Sequence, residues 1–310
     1  MEHEIAGDPM SHLKWTRKTT GNIAQQLARL DIRVSPTTVG RLLRDMGFSL
    51  RVNHKCLESG NAHPPPRKVR NRQFHYIGRM RQAFARRHCP VISVDTKKKE
   101  LVGRFKNNGG CWEKEAYPVN DHDFRSDAKG MAVPYGLYDT LANRGFVLVG
   151  TSCDTPAFAV DALVCWWKDC GSKPYPKARE LLILADCGGA NSARSRVWKH
   201  LLATRLCDPY RLSVTVCHYP PGASKWNPIE HRLFSQLTKH WAGKPLETYE
   251  TVLKYIRRTR TATGLRVQAR LTRKQYEKGQ IATDAQLTQI GLRRHATLPD
   301  WNYTIHPRKM

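Results

Sequence analysis

Leu181-Leu-Ile-Leu-Ala185 is an unbroken apolar run closed by Asp186. A run this short and this apolar reads as a strand buried on both faces, so the chain must supply helices above and below it. The flanking sequence does so. Val91-Ile-Ser-Val94 is a second short apolar strand, ending at Asp95, and Gly145-Phe-Val-Leu-Val-Gly150 and Leu212-Ser-Val-Thr-Val216 are further strands. Helices fall between them. One covers Thr155 to Trp167, opened by Asp154-Thr155-Pro156, with Phe158, Leu163, Trp166 and Trp167 inward. Another covers Ala193 to Arg205, and a third runs from Pro228 to about Trp241 after the Pro220-Pro221-Gly222 turn. This alternation predicts an α/β fold, a mixed and partly parallel sheet with helices on its faces.

The N-terminal part has a different period. Ile23, Leu27 and Leu30 recur at helical spacing, Asp31 to Val34 interrupts, and Ser35 with Pro36 marks a second start as N-cap and first helical residue. Val39, Leu42, Leu43 and Met46 then form one apolar face, and Gly47 supplies the stop. The pattern predicts a helix-turn-helix whose Ser35, Thr37, Thr38, Arg41 and Arg44 face DNA, the alternative being a helical hairpin with a solvated basic face. His63-Pro64-Pro65-Pro66 breaks the chain before a basic, helical stretch. There Arg67, Lys68, Arg70 and Arg72 would lie along a phosphate backbone, or form only a solvated linker. Beyond Gly243 the chain is basic and weakly patterned, with one helix expected at 247–259.

Charge narrows the partners. Lys and Arg number 52 against 26 acids, a formal net charge of +26. Double-stranded DNA is the partner that uses such charge, because each phosphate neutralised releases condensed counterions. A membrane surface would call for a basic amphipathic helix or a lipidation motif, and a span would call for roughly 18 apolar residues; the sequence has none of these. Nine cysteines, odd in number and without a Cys-x-x-Cys pair, read as reduced thiols. With no apolar signal core in the acidic Met1–Pro9 stretch, the expected location is the cytoplasm, on the nucleoid.

Within this basic chain, acids stand where an open α/β sheet places reactive groups: Asp95 and Asp186 at the C-terminal ends of strands, Glu230 in the first turn of a helix. Each alone has an ordinary reading. Asp95 could terminate a strand, Asp186 before Cys187-Gly188-Gly189 could form a turn, and Asn227-Pro228-Ile229-Glu230 fits a variant capping box. Together they offer the hard oxygen ligands that Mg²⁺ or Mn²⁺ prefers, and two such ions about 4 Å apart serve in-line displacement at phosphate. Lys225, His231 and Arg232 flank Glu230 as DNA contacts, and His218 and His231 are candidates for orienting a scissile phosphate. Other chemistries fit less well. Gly188-Gly-Ala-Asn-Ser192 has neither the spacing nor the lysine of a nucleotide-binding loop, and the histidines lack zinc-ligand spacing.

Longer stretches carry a resemblance. They include Pro118-Val-Asn-Asp-His-Asp-Phe124, Pro134-Tyr-Gly-Leu-Tyr-Asp139, Asn143-Arg-Gly-Phe146, Asp154-Thr-Pro-Ala-Phe-Ala-Val160 and Trp166-Trp167. Ala185-Asp-Cys-Gly-Gly189, Cys217-His-Tyr-Pro-Pro-Gly222, Ser224-Lys-Trp-Asn227, Ile229-Glu-His-Arg-Leu-Phe234 and Asp300-Trp-Asn-Tyr-Thr304 continue it. Across most of residues 90–310 the sequence resembles the Rhodopirellula-type DDE transposases of bacterial insertion sequences. The resemblance implies an RNase H-like, retroviral-integrase-like core with the first Asp on strand one, the second after strand four and the Glu on a following helix. These map to Asp95, Asp186 and Glu230. It also implies hydrolysis at the element's ends to expose 3′-hydroxyls, attack of these on target DNA, and a homo-oligomer working on paired ends. The expected organisation is a helix-turn-helix region at 1–52, a basic connector at 53–88, the catalytic domain at 89–243 and a basic extension at 244–310. A catalytically inactive remnant that only binds DNA is the competing reading; it predicts a lost carboxylate, and all three are present. Another nuclease of the same fold would not need the helix-turn-helix and connector.

Overall fold

The computed structural model describes residues 18–50 and 65–308, together with the backbone of two short strands, β1 (Ala6–Gly7) and β2 (Lys14–Trp15), which pair antiparallel. The boundary expected at 52/53, and His63 and Pro64 of the proline break, lie outside the described residues. The chain divides into two units, residues 1–59 and 60–310.

In the first unit α1 (Thr20–Ala28) packs on α2 (Pro36–Asp45). Ser35 caps α2 as its sequence context demands: its Oγ accepts from the Thr38 amide at 3.1 Å, and Pro36 occupies the first turn. Only part of the expected apolar face is covered. Val39 is buried, but Leu42 is 43% and Met46 70% exposed.

The second unit opens with α3 (Arg67–Arg86) and continues into β3 (Val91–Thr96), β4 (Glu100–Val102), β5 (Gly130–Asp139) and β6 (Arg144–Gly150). Helix α4 (Pro156–Trp166) leads to β7 (Glu180–Ala185), and α5 (Arg196–Leu201) and α6 (Asp208–Tyr210) lead to β8 (Ser213–His218). Then follow α7 (Ser235–His240), α8 (Tyr249–Arg258), β9 (Arg266–Thr272), α9 (Asp284–Thr288), β10 (Gly291–Arg294) and β11 (Asn302–His306). One sheet joins these strands in the order β10-β11-β8-β7-β3-β5-β6-β9, with β4 beside β5. At its centre β3, β5 and β6 are successively antiparallel, while β7 and β8 run parallel to β3. Three antiparallel strands whose first member neighbours two parallel ones define the RNase H-like sheet.

Strand alternation explains the apolar runs. In β7, Leu181, Ile183 and Ala185 enter the core under α4 and α5, while Leu182 and Leu184 pack on the opposite face with Ile77 and Phe84 of α3. In β6, Phe146 and Leu148 join the first core, and Val147 and Val149 meet Leu237 and Ile256 of α7 and α8. Trp198 and Trp241 are fully buried, one in each of these two cores. Truncation of a buried Trp to Ala typically costs about 3–5 kcal/mol.

Two expectations are corrected. The basic stretch after the prolines is no free connector, because α3 buries Gln73, Ile77 and Phe84 against the sheet. Nor does the catalytic fold end at 243: β9 pairs with β6, and β11 with β8, so the extension closes both edges of the sheet. The expected helix there is α8, and a second short helix, α9, and three strands accompany it among the described residues.

Candidate active site

Asp95 and Asp186 stand at the same end of adjacent parallel strands. Val94 is the register partner of Ala185, so the two aspartates follow each other across β3 and β7. In β3 the side chains of Ile92 and Val94 enter the α4 core. Ser93 and Asp95 therefore face the other side, toward the segment that leads into α7. Thr96 donates its amide to Asp95 Oδ1 at 2.7 Å.

A buried asparagine ties this end together. Asn227 Nδ2 donates to Asp186 Oδ1 at 3.0 Å and to the Val94 carbonyl at 3.3 Å, and its Oδ1 accepts from Ser93 Oγ. Ser93 Oγ accepts the Ile229 amide at 3.1 Å, and the Asn227 carbonyl accepts the Glu230 amide at 3.1 Å. One side chain thus touches the residue before Asp95, the carboxylate of Asp186 and, through its own backbone, Glu230. Glu230 begins a π-helical turn, Glu230–Phe234, that runs into α7. The Asn227 side chain bonds to Ser93, Val94 and Asp186 and not to a helix amide, so it does not close a capping box with Glu230. The turn sits close over the sheet because Gly136, register partner of Asp95, has no side chain: a Cβ there would meet Phe234 Cε1 at 2.5 Å and Ile229 Cδ1 at 3.0 Å.

Electrostatics link the acids. Burial first, then the negative charge of Asp186, with smaller repulsion from Glu230 and Asp154, pushes Asp95 up to about 8. Burial raises Asp186 to about 6, against the Asn227 hydrogen bond and with Glu230 adding repulsion. Asp154 is a fourth acid at this end, accepting from Thr96 Oγ1 at 3.1 Å and itself raised by burial. Tyr135 Oη is buried without a hydrogen-bond partner among the described residues, within electrostatic reach of Asp95 and Asp154. Among the described residues no three carboxylate, imidazole or thiol groups stand close enough together to hold a metal ion, so Asp95, Asp186 and Glu230 share one end of the sheet without forming a ready ligand set.

His218, expected near a phosphate, is fully buried beneath the site and cannot reach one. Burial lowers it to about 4, so the ring is neutral. Its Nδ1–H donates to the Asp186 carbonyl at 2.9 Å, which leaves Nε2 to accept from Tyr303 Oη at 3.2 Å; that hydroxyl accepts from Trp198 Nε1 at 3.0 Å. Asp186 is thus held from below through β8 and β11. Composition and spacing give Asn227 and His218 other roles and do not reveal that both hold Asp186. The readable sign was Ser93, a polar residue inside an apolar strand that needs a buried partner.

Of the residues expected at DNA, Lys225, His231 and Arg232 are exposed around the Glu230 turn, Lys225 lying over the Trp226 ring at 5.6 Å. Arg67, Lys68 and Arg72 are exposed on α3, and Arg70 is half-buried. Thr37, Arg41 and Arg44 are exposed on α2, whereas Ser35 and Thr38 hydrogen-bond each other at 2.9 Å.

The strand order and directions are those of an RNase H-like domain, with Asp95 and Asp186 at the ends of the first and fourth core strands. The chain belongs to the Rhodopirellula transposase DDE domain family, whose sequence profile matches residues 1–307. No curated protein matches it. Among solved structures it is similar to the Mos1 transposase paired-end complex with left transposon end, at 17% identity and a TM-score of 0.44. It is similar also to the Mos1 mariner paired-end complexes with Mn, at 17% and 0.43, and with Mg, at 16% and 0.45. Each match covers 77% of this chain and 65% of the other, so this chain spans less than two thirds of those proteins. Among the described residues no helix is long and apolar enough to cross a membrane.

Proposed function

We propose that the protein is an insertion-sequence transposase that binds the element's ends, cleaves them hydrolytically and joins the exposed 3′-hydroxyls to target DNA. The observation that carries this reading is the placement of Asp95 and Asp186 side by side at the ends of adjacent parallel strands, tied by Asn227, which donates to Asp186 and whose carbonyl accepts the Glu230 amide. Family membership adds to it.

Asp95, Asp186 and Glu230 would hold Mg²⁺ or Mn²⁺. The donor set fits: the oxygens are hard, and two buried acids with raised proton affinity lack the positive charge that would let both ionise. Two such ions, when bound, activate the attacking oxygen and stabilise the leaving one. The chain's own work is to keep the carboxylates aimed. Asn227 and the neutral His218 fix Asp186 from two sides, the Thr96 amide orients Asp95, and the π turn, whose Ile229 and Phe234 sit over Gly136, would present Glu230 toward them. Lys225, His231 and Arg232 would grip the backbone of the strand being cut. Helix α2, through Thr37, Thr38, Arg41 and Arg44 with Ser35 at its cap, would read base edges. Arg67, Lys68, Arg70 and Arg72 on α3 would hold phosphates, in a homo-oligomer on paired ends at the nucleoid.

The test is an end-cleavage assay on duplex carrying the element's terminal repeat. Asp95→Asn, Asp186→Asn and Glu230→Gln should each abolish cutting while leaving gel-shift affinity near wild type. Substantial cutting by any of them removes that residue from the site.

A further inference from the structure

The end of the sheet remote from the carboxylates carries the opposite charge. Arg144 opens β6 and is the register partner of Arg266, which opens β9; Arg266 in turn bridges to Arg260. Three arginines therefore stand side by side, with neighbouring strands roughly 4.8 Å apart, so that the row extends over about 10 Å. Like charges directly opposite each other in a sheet are unfavourable. The acid beside the row is Asp139, register partner of Arg144 on its other side.

These three residues, with Lys173 and Arg257, line a cavity of about 710 Å³. Its two carboxylates are already engaged. Asp169 pairs with Arg270 at 3.1 Å, and Asp139 accepts from the amides of Leu141 and Ala142 and from Tyr175 Oη, all within 3.1 Å. Arg257 spends Nε and Nη2 on the Ala269 carbonyl at 3.1 and 2.9 Å, which fixes its guanidinium in the wall with other donors free. Among the described residues, Arg144, Lys173, Arg260 and Arg266 have no carboxylate partner.

We propose that this cavity is a second nucleic-acid contact that takes the phosphodiester backbone of a DNA duplex. The row spans the rise of about three nucleotides of one strand, at about 3.4 Å each, and a single free phosphate would leave most of its charge uncompensated. It lies apart from the acids. Asp95 pairs with Gly136, and the β5–β6 hairpin closes at Asp139 and Arg144, three residues and thus about 10 Å further along the strand. At that spacing, about three base-pair rises, the row adds a backbone contact beyond those at the carboxylates. The inference rests on the reading of the protein as a DNA-acting enzyme.

The test compares R144Q/R260Q/R266Q with K114Q/K254Q/K278Q, which removes as many charges from exposed lysines outside the cavity. Affinity for a short random-sequence duplex is measured against salt. The arginine variant should show a log–log slope shallower by about 2.7, from three lost phosphate contacts at about 0.9 each, with the lysine control near wild type. It should melt at or above wild type, since repulsion within the row is relieved. If the triple variant fails to fold, each single Arg→Gln change should still lower the slope by about 0.9. Wild-type slopes in the folded variants overturn the proposal, as does stabilisation by inorganic phosphate that the arginine variant loses while its duplex slope is unchanged. Failure of the wild type to bind duplex at all overturns the functional reading itself.

Discussion

Asp95 and Asp186 hold protons that the unfolded chain would release. An aspartate in an unfolded chain titrates near 3.9, whereas Asp95 is raised to about 8 and Asp186 to about 6. Between these values the native state binds more protons than the unfolded one, so without divalent cation stability should fall as pH rises from about 4 to about 8. Melting temperatures in chelator across this range should show the decline, and Asp95→Asn should flatten it; an equal decline in Asp95→Asn would place its cause elsewhere. Asn227 offers a second prediction. Removing its amide takes the donor from Asp186 Oδ1 and the acceptor from the Ser93 hydroxyl, at a cost of about 1–3 kcal/mol. Asn227→Asp, of nearly equal shape, sets another carboxylate against Asp186. At pH 8 it should melt below Asn227→Ala, and the reverse order would contradict the donor role.

Among the elements, the turn carrying Glu230 depends on a strand that the pattern of apolar residues conceals. Pro134 and Gly136 break the text of β5, and both are normally depleted in strand interiors, yet the chain needs Gly136 to let Phe234 and Ile229 approach. Gly136→Ala should lift the Glu230 turn from the sheet. End cleavage should then fall at least tenfold with gel-shift affinity retained; full cleavage would mean that the turn accommodates a methyl group. The strands β3, β6, β7 and β8 were legible because burial on both faces makes them continuously apolar. So were Asp95 and Asp186, which follow the C-terminal edges. The Arg266–Thr272 strand escaped notice because its polar alternation marks an edge strand within a basic segment. The roles of Asn227 and His218 come from contacts across more than 30 residues of sequence, which local periodicity does not encode.

At the scale of the molecule, a net charge of +26 surrounds a small group of acids that repel one another. The account's central claim is that this group is one cation site. Melting of the DNA-free protein with and without Mn²⁺ at pH 8 tests it most directly, since a ligand bound only by the native state raises stability by mass action. Glu247, which accepts from Arg104 and Tyr117 rather than from the acid cluster, supplies the control. The account predicts an Mn²⁺-induced upward shift in wild type and in Glu247→Gln, and a much smaller one in Asp95→Asn, Asp186→Asn and Glu230→Gln. Equal shifts in all five proteins would contradict it.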